Sequence, residues 1–381
     1  MKNPVSILKG SHRQRAFSLL ASRRVISRQD IAAELGLSQQ TAMKIMNYFA
    51  GAGLADCIGE GDSQVGRKPQ MYAFNPNAAL MIAVMHEGGL VRVGALNLAC
   101  DILVEETAEV SGNLREVLVE IPCGFAKRMP ELLAEKGIPV SRVLGLGLCL
   151  PGVVDDKRFD ISFAPSFSLR SSYHIGDIIK EVSKRLGVPV TVENDVNAAV
   201  YGEHSVRNTP DLAFITIGSG VGMGLVLDGK LRRGPMFTAG EIGLIPYYAN
   251  GELLAARSVE DFIGLDALKK QFGFDRHFGV EAMSPDSRVS MIGMVSDVAA
   301  YVIATCAAVL NVSDFVLGGL TVELLGDGLF GEVQRKAVQL SPFGVNLHKQ
   351  RLGCPSLVGA ARKIIDLQMR TLLTLDRDAD N

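Results

Sequence analysis

Val188-Pro189-Val190-Thr191-Val192-Glu193-Asn194-Asp195-Val196-Asn197-Ala198-Ala199 is the stretch on which the fold turns. Its first half, Val188–Val192, is a short run rich in valine and reads as a strand. Its second half gathers Glu193, Asn194, Asp195 and Asn197 and passes at once into a helical pattern. A strand that ends in polar groups and opens a helix belongs to an α/β sheet, and ligands bind open α/β sheets at the carboxyl ends of their strands. A carboxylate there can act as a general base toward a hydroxyl. Equally, Asn194 or Asp195 can do no more than cap the helix. On these residues alone both readings stand.

Upstream, Met81–Val84, Val91–Leu96 and Ile102–Glu106 pattern as the strands of a meander, followed by helical periodicity over Leu114–Glu135. The apolar run Val143–Leu148 leads into Cys149-Leu150-Pro151-Gly152, a strand entering a turn, and Gly176–Leu186 reads as a helix. Downstream, the strand Leu212–Ile217 is followed by Gly218-Ser219-Gly220-Val221-Gly222-Met223-Gly224. Alternating glycines let backbone N–H groups surround a phosphate; a glycine-rich hairpin turn is the plainer alternative. Ala239-Gly240-Glu241-Ile242-Gly243 is a loop with a lone carboxylate. A helix near Val295–Leu310 runs into Phe315–Leu317 and Gly318-Gly319, a second strand-to-glycine turn where a nucleotide base could sit. Strands alternating with helices predict α/β layers from about residue 76 onward.

The first 75 residues differ in kind. They carry ten Lys/Arg against five Asp/Glu, a net +5, which leaves −7 for residues 76–381. A basic head on an acidic body suits a nucleic-acid-binding module joined to something else. Helical patterns fit Ser11–Ala21, Arg28–Leu35 behind the cap Ser27, and Gln39–Ala50 behind the cap Ser38. The turn Gly36-Leu37-Ser38 is too short for anything but a steep crossing, as in a helix-turn-helix. Ser38, Gln39, Gln40, Met43, Lys44 and Asn47 then face away from the core, with amides suited to adenine edges and a lysine suited to guanine or phosphate. Leu54–Ile58 and Gln70–Phe74 pattern as two strands around Gly59–Pro69, which reads as a wing bearing Arg67 and Lys68. The alternatives are a solvated helical hairpin and a plain linker. The basic flank favours double-stranded DNA as the partner.

A length of 381 residues implies two or three domains, here 1–75 and 76–381. The latter divides into lobes of about 76–194 plus a C-terminal helix, and about 195–360. The six cysteines form no CxxC or CxC pair, so neither a disulfide framework nor a zinc site is expected. The start lacks a signal-peptide core. Residues 298–310 are apolar but broken by small and polar residues short of a membrane span. A cytoplasmic protein without cofactor or metal is the expectation.

Taken in order, Leu150-Pro151-Gly152-Val153-Val154-Asp155, Glu193–Ala199, Gly218–Gly224, Ala239–Gly243 and Leu317-Gly318-Gly319 resemble the ROK family (repressors, open reading frames and kinases) over nearly the whole chain. Gly66-Arg67-Lys68-Pro69 resembles the link after the wing in its Mlc-, NagC- and XylR-type repressors. The resemblance implies a two-lobed, actin-like (ribonuclease H-like) sugar-kinase fold behind a winged helix-turn-helix. It implies that the Asp195 position takes a proton from a sugar hydroxyl in the kinases, that Asn194 and Glu241 bind sugar, and that Gly88, Gly89, Gly218, Gly220, Gly222, Gly318 and Gly319 occupy the nucleotide loops. Ser166 and Glu260 match sugar-pocket positions more loosely.

Three departures from the family pattern are informative. The first phosphate motif, Asp-x-Gly-Gly-Thr, is His86-Glu87-Gly88-Gly89-Leu90 here, and phosphoryl transfer depends on the positioning and charge neutralisation that such a motif supplies. The family's zinc cluster has no cysteines between Tyr247 and Phe262, and its histidine is Leu244. Its Ala-Pro-Asn is Ala164-Pro165-Ser166. The expectation is a DNA-binding repressor of carbohydrate genes, assembling as a homodimer or larger homo-oligomer and sensing a small sugar in a degenerate kinase cleft. A working sugar kinase with a DNA-binding head is the alternative, and a DNA-binding protein whose body serves only assembly is a third reading.

Overall fold

The computed structural model describes residues 4–61, 68–87, 89–110, 112–247, 257–273 and 283–374. The N-terminal unit runs α1 (Pro4–Arg23), β1 (Val25–Ser27), α2 (Arg28–Leu35), α3 (Gln39–Gly51), β2 (Ala55–Glu60) and β3 (Gln70–Phe74). Ser27 caps α2 reciprocally: its hydroxyl accepts the Asp30 N–H at 3.0 Å, and the Asp30 carboxylate accepts the Ser27 N–H at 3.4 Å. Gly36 ends α2 at φ +65°, a conformation glycine takes without strain. Ser38 then accepts the Thr41 N–H and starts α3. Ala42, Ile45, Met46 and Phe49 are buried on one face of α3, as the 3.6-residue period requires. Phe17 of α1 meets Phe49 and Phe74 edge-on, closing the core. Two features differ from expectation. The first helix begins at Pro4, and the three residues of β1 join β3 to make a sheet of order β1-β3-β2. A strand that short has no period to read.

The body opens with the antiparallel meander β4 (Leu80–Glu87), β5 (Leu90–Asn97) and β6 (Ile102–Glu109). After α4 (Ile121–Glu135), β7 (Val143–Leu150) pairs parallel to β4. A small sheet follows, of β8 (Val153–Asp155), β9 (Asp160–Ser162) and β10 (Tyr173–His174). Beyond α5 (Gly176–Leu186), β11 (Val190–Asn194) completes a sheet of order β11-β7-β4-β5-β6. Helix α6 (Asp195–Ser205) leads into β12 (Leu212–Ile217), β13 (Val221–Leu227) and β14 (Lys230–Leu231). The short β15 (Pro246–Tyr247) and β16 (Arg257–Ser258) pair beside α7 (Val259–Ile263) and α8 (Leu265–Phe272). Then come α9 (Pro285–Leu310), β17 (Asp314–Gly318), α10 (Leu320–Leu340) and β18 (Asn346–Lys349). The second sheet has the order β14-β13-β12-β17-β18, a three-stranded meander followed by two parallel strands. Both lobes therefore share one wiring.

The last helix, α11 (Pro355–Thr374), returns to the first sheet and packs on β4, β7 and β11 as well as on α6. It begins five residues before the boundary of about 360 read from the sequence. The α6–α11 contact is unusually close because glycines line it: a β-carbon at Gly359 would overlap the Ala198 carbonyl, and one at Gly202 would overlap that of Pro355. α9 is also longer than its sequence pattern suggested. By length and composition it could cross a membrane; here half of its most apolar stretch is buried, with Val295, Val302, Ile303 and Cys306 in the core of the second lobe.

Candidate functional site

The carboxyl end of β11 faces the gap between the lobes, and there Asn194 is fully engaged. Its side-chain oxygen accepts the N–H groups of Val196 (3.0 Å) and Asn197 (2.9 Å), capping α6. Its amide donates to the Gly152 carbonyl at 2.8 Å and to Asp195 Oδ1 at 3.1 Å. The capping alternative thus holds for Asn194, which also ties α6 to the Pro151-Gly152 turn. A β-carbon at Gly152 would collide with the Ser162 and Phe163 carbonyls, so the segment leading to Ser166 is fixed against the same turn. Among the described residues, the buried Ser166 Oγ has no hydrogen-bond partner.

Asp195 Oδ1 also accepts the Val196 N–H at 2.9 Å, and no hydrogen bond to Oδ2 is formed among the described residues. Burial pushes its carboxyl up to about 7, the negative charge of Glu87 adds to this, two backbone hydrogen bonds oppose it, and Glu241 raises it further. Glu241 is itself raised by burial and then by Glu260. Glu260 Oε2 accepts the Val221 N–H at 2.9 Å. The fold therefore gathers Asp195, Glu241 and Glu260 into one acidic wall, with Asn194 beside Asp195. Glu87, which the sequence reading passed over inside the altered phosphate motif, belongs to the same wall. It sits at the cleft end of β4, one residue beyond a buried His86. That histidine lies against Phe167 with ring centroids 4.6 Å apart, neither ring nitrogen has a partner among the described residues, and burial lowers its pKa.

The glycines fall into two groups. Gly218 and Gly220 form the β12–β13 turn, with the Gly218 N–H donated to the Gly220 carbonyl at 2.9 Å. Gly222 and Gly224 lie inside β13, against expectation for a phosphate loop. A β-carbon at Gly224 would stand 2.5 Å from the Val196 carbonyl and one at Gly222 would stand 3.2 Å from the Val196 side chain, so these two glycines let α6 lie flat on β13. Gly318 ends β17 against the Phe214 ring, and Gly319, at φ +95°, precedes α10. Gly89 adopts φ +81° in the β4–β5 turn, and Leu90 starts β5; Gly88 lies outside the described residues. Gly222 is half-buried within β13, and the Gly218 and Val221 N–H groups are already bonded.

Behind the acidic wall, β11 carries a second set of charges that no local motif announces. Glu193 is 3% exposed and accepts from Arg233 Nε of the second lobe at 3.0 Å and from Lys363 Nζ of α11 at 2.9 Å. Lys363 also reaches Asp156 at 2.9 Å. Glu193, Arg233 and Lys363 border a cavity of about 470 Å³, lined in addition by Tyr201 and Asp366. A wider hollow of about 810 Å³ approaches Glu241 from the second lobe. Asp195 lines neither of them; the strand ends and the helix start at Asp195 mark the front cleft as the candidate site.

Helix α11 joins this region to the N-terminal unit. Ser356, near its start, donates to the Asp195 carbonyl at 3.0 Å. Near its end, the Leu373 carbonyl accepts from Arg13 at 2.8 Å and the Leu372 carbonyl accepts from Tyr48 of α3 at 3.2 Å. The Arg13 guanidinium lies 4.0 Å from the centre of the Tyr48 ring. Leu357, Ile364, Ile365, Leu372 and Leu373 share one apolar cluster with Ala16, Phe17, Met46 and Phe49. On the opposite face of α3, Gln39, Gln40, Met43, Lys44 and Asn47 are exposed, as are Ser38 and, beside β3, Lys68. Arg67 lies outside the described residues.

Comparison with known proteins agrees with this architecture. The ROK family profile matches residues 108–256. A xylose repressor of Bacillus spizizenii is 28% identical over 235 residues, 59% of this chain and 58% of the relative, so the match spans less than two thirds of that protein. Among solved structures, a ROK family transcriptional regulator, a homologue of the E. coli MLC protein, superposes with a TM-score of 0.72 at 19% identity, covering 96% of this chain and 98% of its own. A ROK family glucokinase from Streptomyces griseus, in complex with glucose and AMPPNP, superposes with a TM-score of 0.59 at 24% identity, over 74% of this chain and 98% of its own. At those identities the likeness is one of fold.

Proposed function

This chain carries a ROK family domain, and from that premise we propose that it is a DNA-binding transcriptional repressor whose grip on its operator is set by a small sugar in the interlobe cleft. Residues 1–75 act as a winged helix-turn-helix and residues 76–381 as the sensor. The observation that carries the reading is α11, one helix bonded to Asp195 at its start and to Arg13 and Tyr48 near its end. Asp195, Glu241 and Glu260 offer carboxylate acceptors to sugar hydroxyls, with Asn194 holding the α6 start in place and the buried Ser166 Oγ as a further polar group. Closing the lobes on a ligand moves α6, and the glycine-lined contact passes that movement to α11. Two copies reading two half-sites make the working unit. The xylose repressor relative supports regulation of carbohydrate genes. With His86 and Leu90 in place of the first phosphate motif's acid and threonine, the cleft handles no phosphoryl transfer in this reading.

DNA binding is tested by salt titration of the full chain on duplex DNA. Affinity falls steeply as salt rises, because Lys and Arg displace condensed counterions from phosphates. Lys44→Ala or Lys68→Ala flattens that slope by about one unit if each contacts one phosphate, whereas Gln39→Ala or Gln40→Ala changes sequence preference. Slopes identical to the parent's in both lysine variants would remove α3 and the wing from the interface.

A further inference from the structure

We propose that the cavity behind β11 is a second small-molecule site, separate from the front cleft, and that it takes a carboxylate carrying a small apolar body. Its volume of about 470 Å³ is in the range that small-ligand sites occupy. Both lobes build it: β11 and α6 supply Thr191, Glu193 and Tyr201, α11 supplies Leu367, and β14 of the second lobe supplies Lys230 and Leu231. The inner charges are matched among themselves. Glu193 accepts from Arg233 and Lys363, and Lys363 also donates to Asp156 at 2.9 Å and to the Val192 carbonyl at 2.8 Å. The Tyr201 hydroxyl donates to Asp366. Lys230 is different: it is exposed and makes no ion pair among the described residues. The lining side chains thus carry three cations, Lys230, Arg233 and Lys363, against two carboxylates, Glu193 and Asp366, and the surplus charge is the unpaired one.

Between these charges the walls are the Tyr201 ring, Ala198, Leu231 and Leu367, and Leu367, 54% exposed, marks the opening. An apolar body lying on those walls leaves water, and a carboxylate beside Lys230 gains a charge-assisted hydrogen bond. A cationic ligand would add to the surplus and be repelled. Ala198 and Gly359 both line the cavity, and they meet so closely that a β-carbon at Gly359 would overlap the Ala198 carbonyl. An occupant therefore borders the α6–α11 contact. The site does not depend on a sugar in the front cleft, so either reading can fail without the other.

The test is calorimetric titration of the full-length protein with benzoate and hexanoate, and with benzylamine and benzyl alcohol as the cationic and neutral counterparts of benzoate. Lys230 also borders the wider hollow near Glu241, whereas Leu367 borders the cavity behind β11 and not that hollow, so variants at Leu367 fix the location. Both residues are exposed, and thermal melting first establishes that Lys230→Gln, Leu367→Glu and Leu367→Lys fold. The parent should bind at least one carboxylate with a Kd of about 1 mM or tighter, within reach of ligands this small, and benzylamine roughly tenfold more weakly or not at all. Lys230→Gln should weaken carboxylate binding severalfold, Leu367→Glu by roughly tenfold or more, and Leu367→Lys should keep or tighten it. A parent that binds neither carboxylate by about 10 mM would overturn the proposal. So would benzylamine or benzyl alcohol binding as tightly as benzoate. A folded Leu367→Glu variant that binds carboxylate like the parent would put the ligand elsewhere and overturn it too.

Discussion

Asp195→Asn should make the protein more stable at pH 8 and remove part of its pH dependence. In the folded state the Asp195 carboxyl is pushed up to about 7 from an ordinary 3.8. Between about pH 4 and pH 7 the folded protein therefore holds a proton that the unfolded chain has released. Stability must fall as pH rises through that window, and the loss is complete above it. The full shift corresponds to at most about 4 kcal/mol, enough to move a melting temperature by several degrees. Asparagine keeps an oxygen for the Val196 N–H and carries no charge at any pH. Glu87 and Glu241 are raised as well and are electrostatically coupled to Asp195, so the difference between parent and variant reports Asp195 together with its effect on those two carboxyls. The same variant should respond poorly to the effector while binding DNA normally. Melting curves of parent and variant that fall in parallel from pH 4 to pH 8 would show that Asp195 carries no buried charge.

A second large effect is expected at the far end of α11. Leu372 and Leu373 are each 1% exposed and lie in the apolar cluster that includes the head. Truncating buried leucines to alanine costs about 2–5 kcal/mol apiece, here in the contact that carries the signal. α11 stays anchored on the first sheet by Leu357, Ile364 and Ile365. The Leu372→Ala, Leu373→Ala variant should keep a folded body and keep binding effector. It should still bind DNA, but the effector's influence on that binding, typically about 5–150-fold for an allosteric protein, should shrink toward none. Undiminished response in this variant would mean the signal travels by another route.

The α/β character of the body was legible because Leu212–Ile217 and Val143–Leu148 are largely apolar runs, and Gly176–Leu186 has clear helical period. The caps Ser27 and Ser38 and the αL turn at Gly36 placed α2 and α3 closely, since capping is a local chemistry that a sequence displays. What could not be read was set by contacts distant in sequence. Gly222 and Gly224 look like a phosphate loop, yet their purpose is the approach of α6, invisible until α6 is docked. Asn194 looked equally like a ligand residue and a cap; only the Gly152 carbonyl, 42 residues upstream, reveals how its amide is used. Glu87 was overlooked because the family pattern drew attention to His86, while strand alternation turns these neighbours to opposite faces. Arg233 and Lys363 converge on Glu193 from separate elements, and nothing in their own neighbourhoods signals it.

The central claim is that a ligand in the cleft and DNA on α3 are linked through one protein. A thermal-shift screen of free sugars against the full chain identifies the ligand, since binding to the folded state raises its melting point. The affinity of that sugar is then measured by calorimetry with the protein free and with the protein saturated by its operator duplex, and the DNA affinity is measured with and without the sugar. Linkage requires the two ratios to be equal. The account predicts the same ratio in both directions, about 5-fold or more, and its collapse toward one in Leu372→Ala, Leu373→Ala. A sugar that binds with equal affinity to free and DNA-bound protein would contradict it.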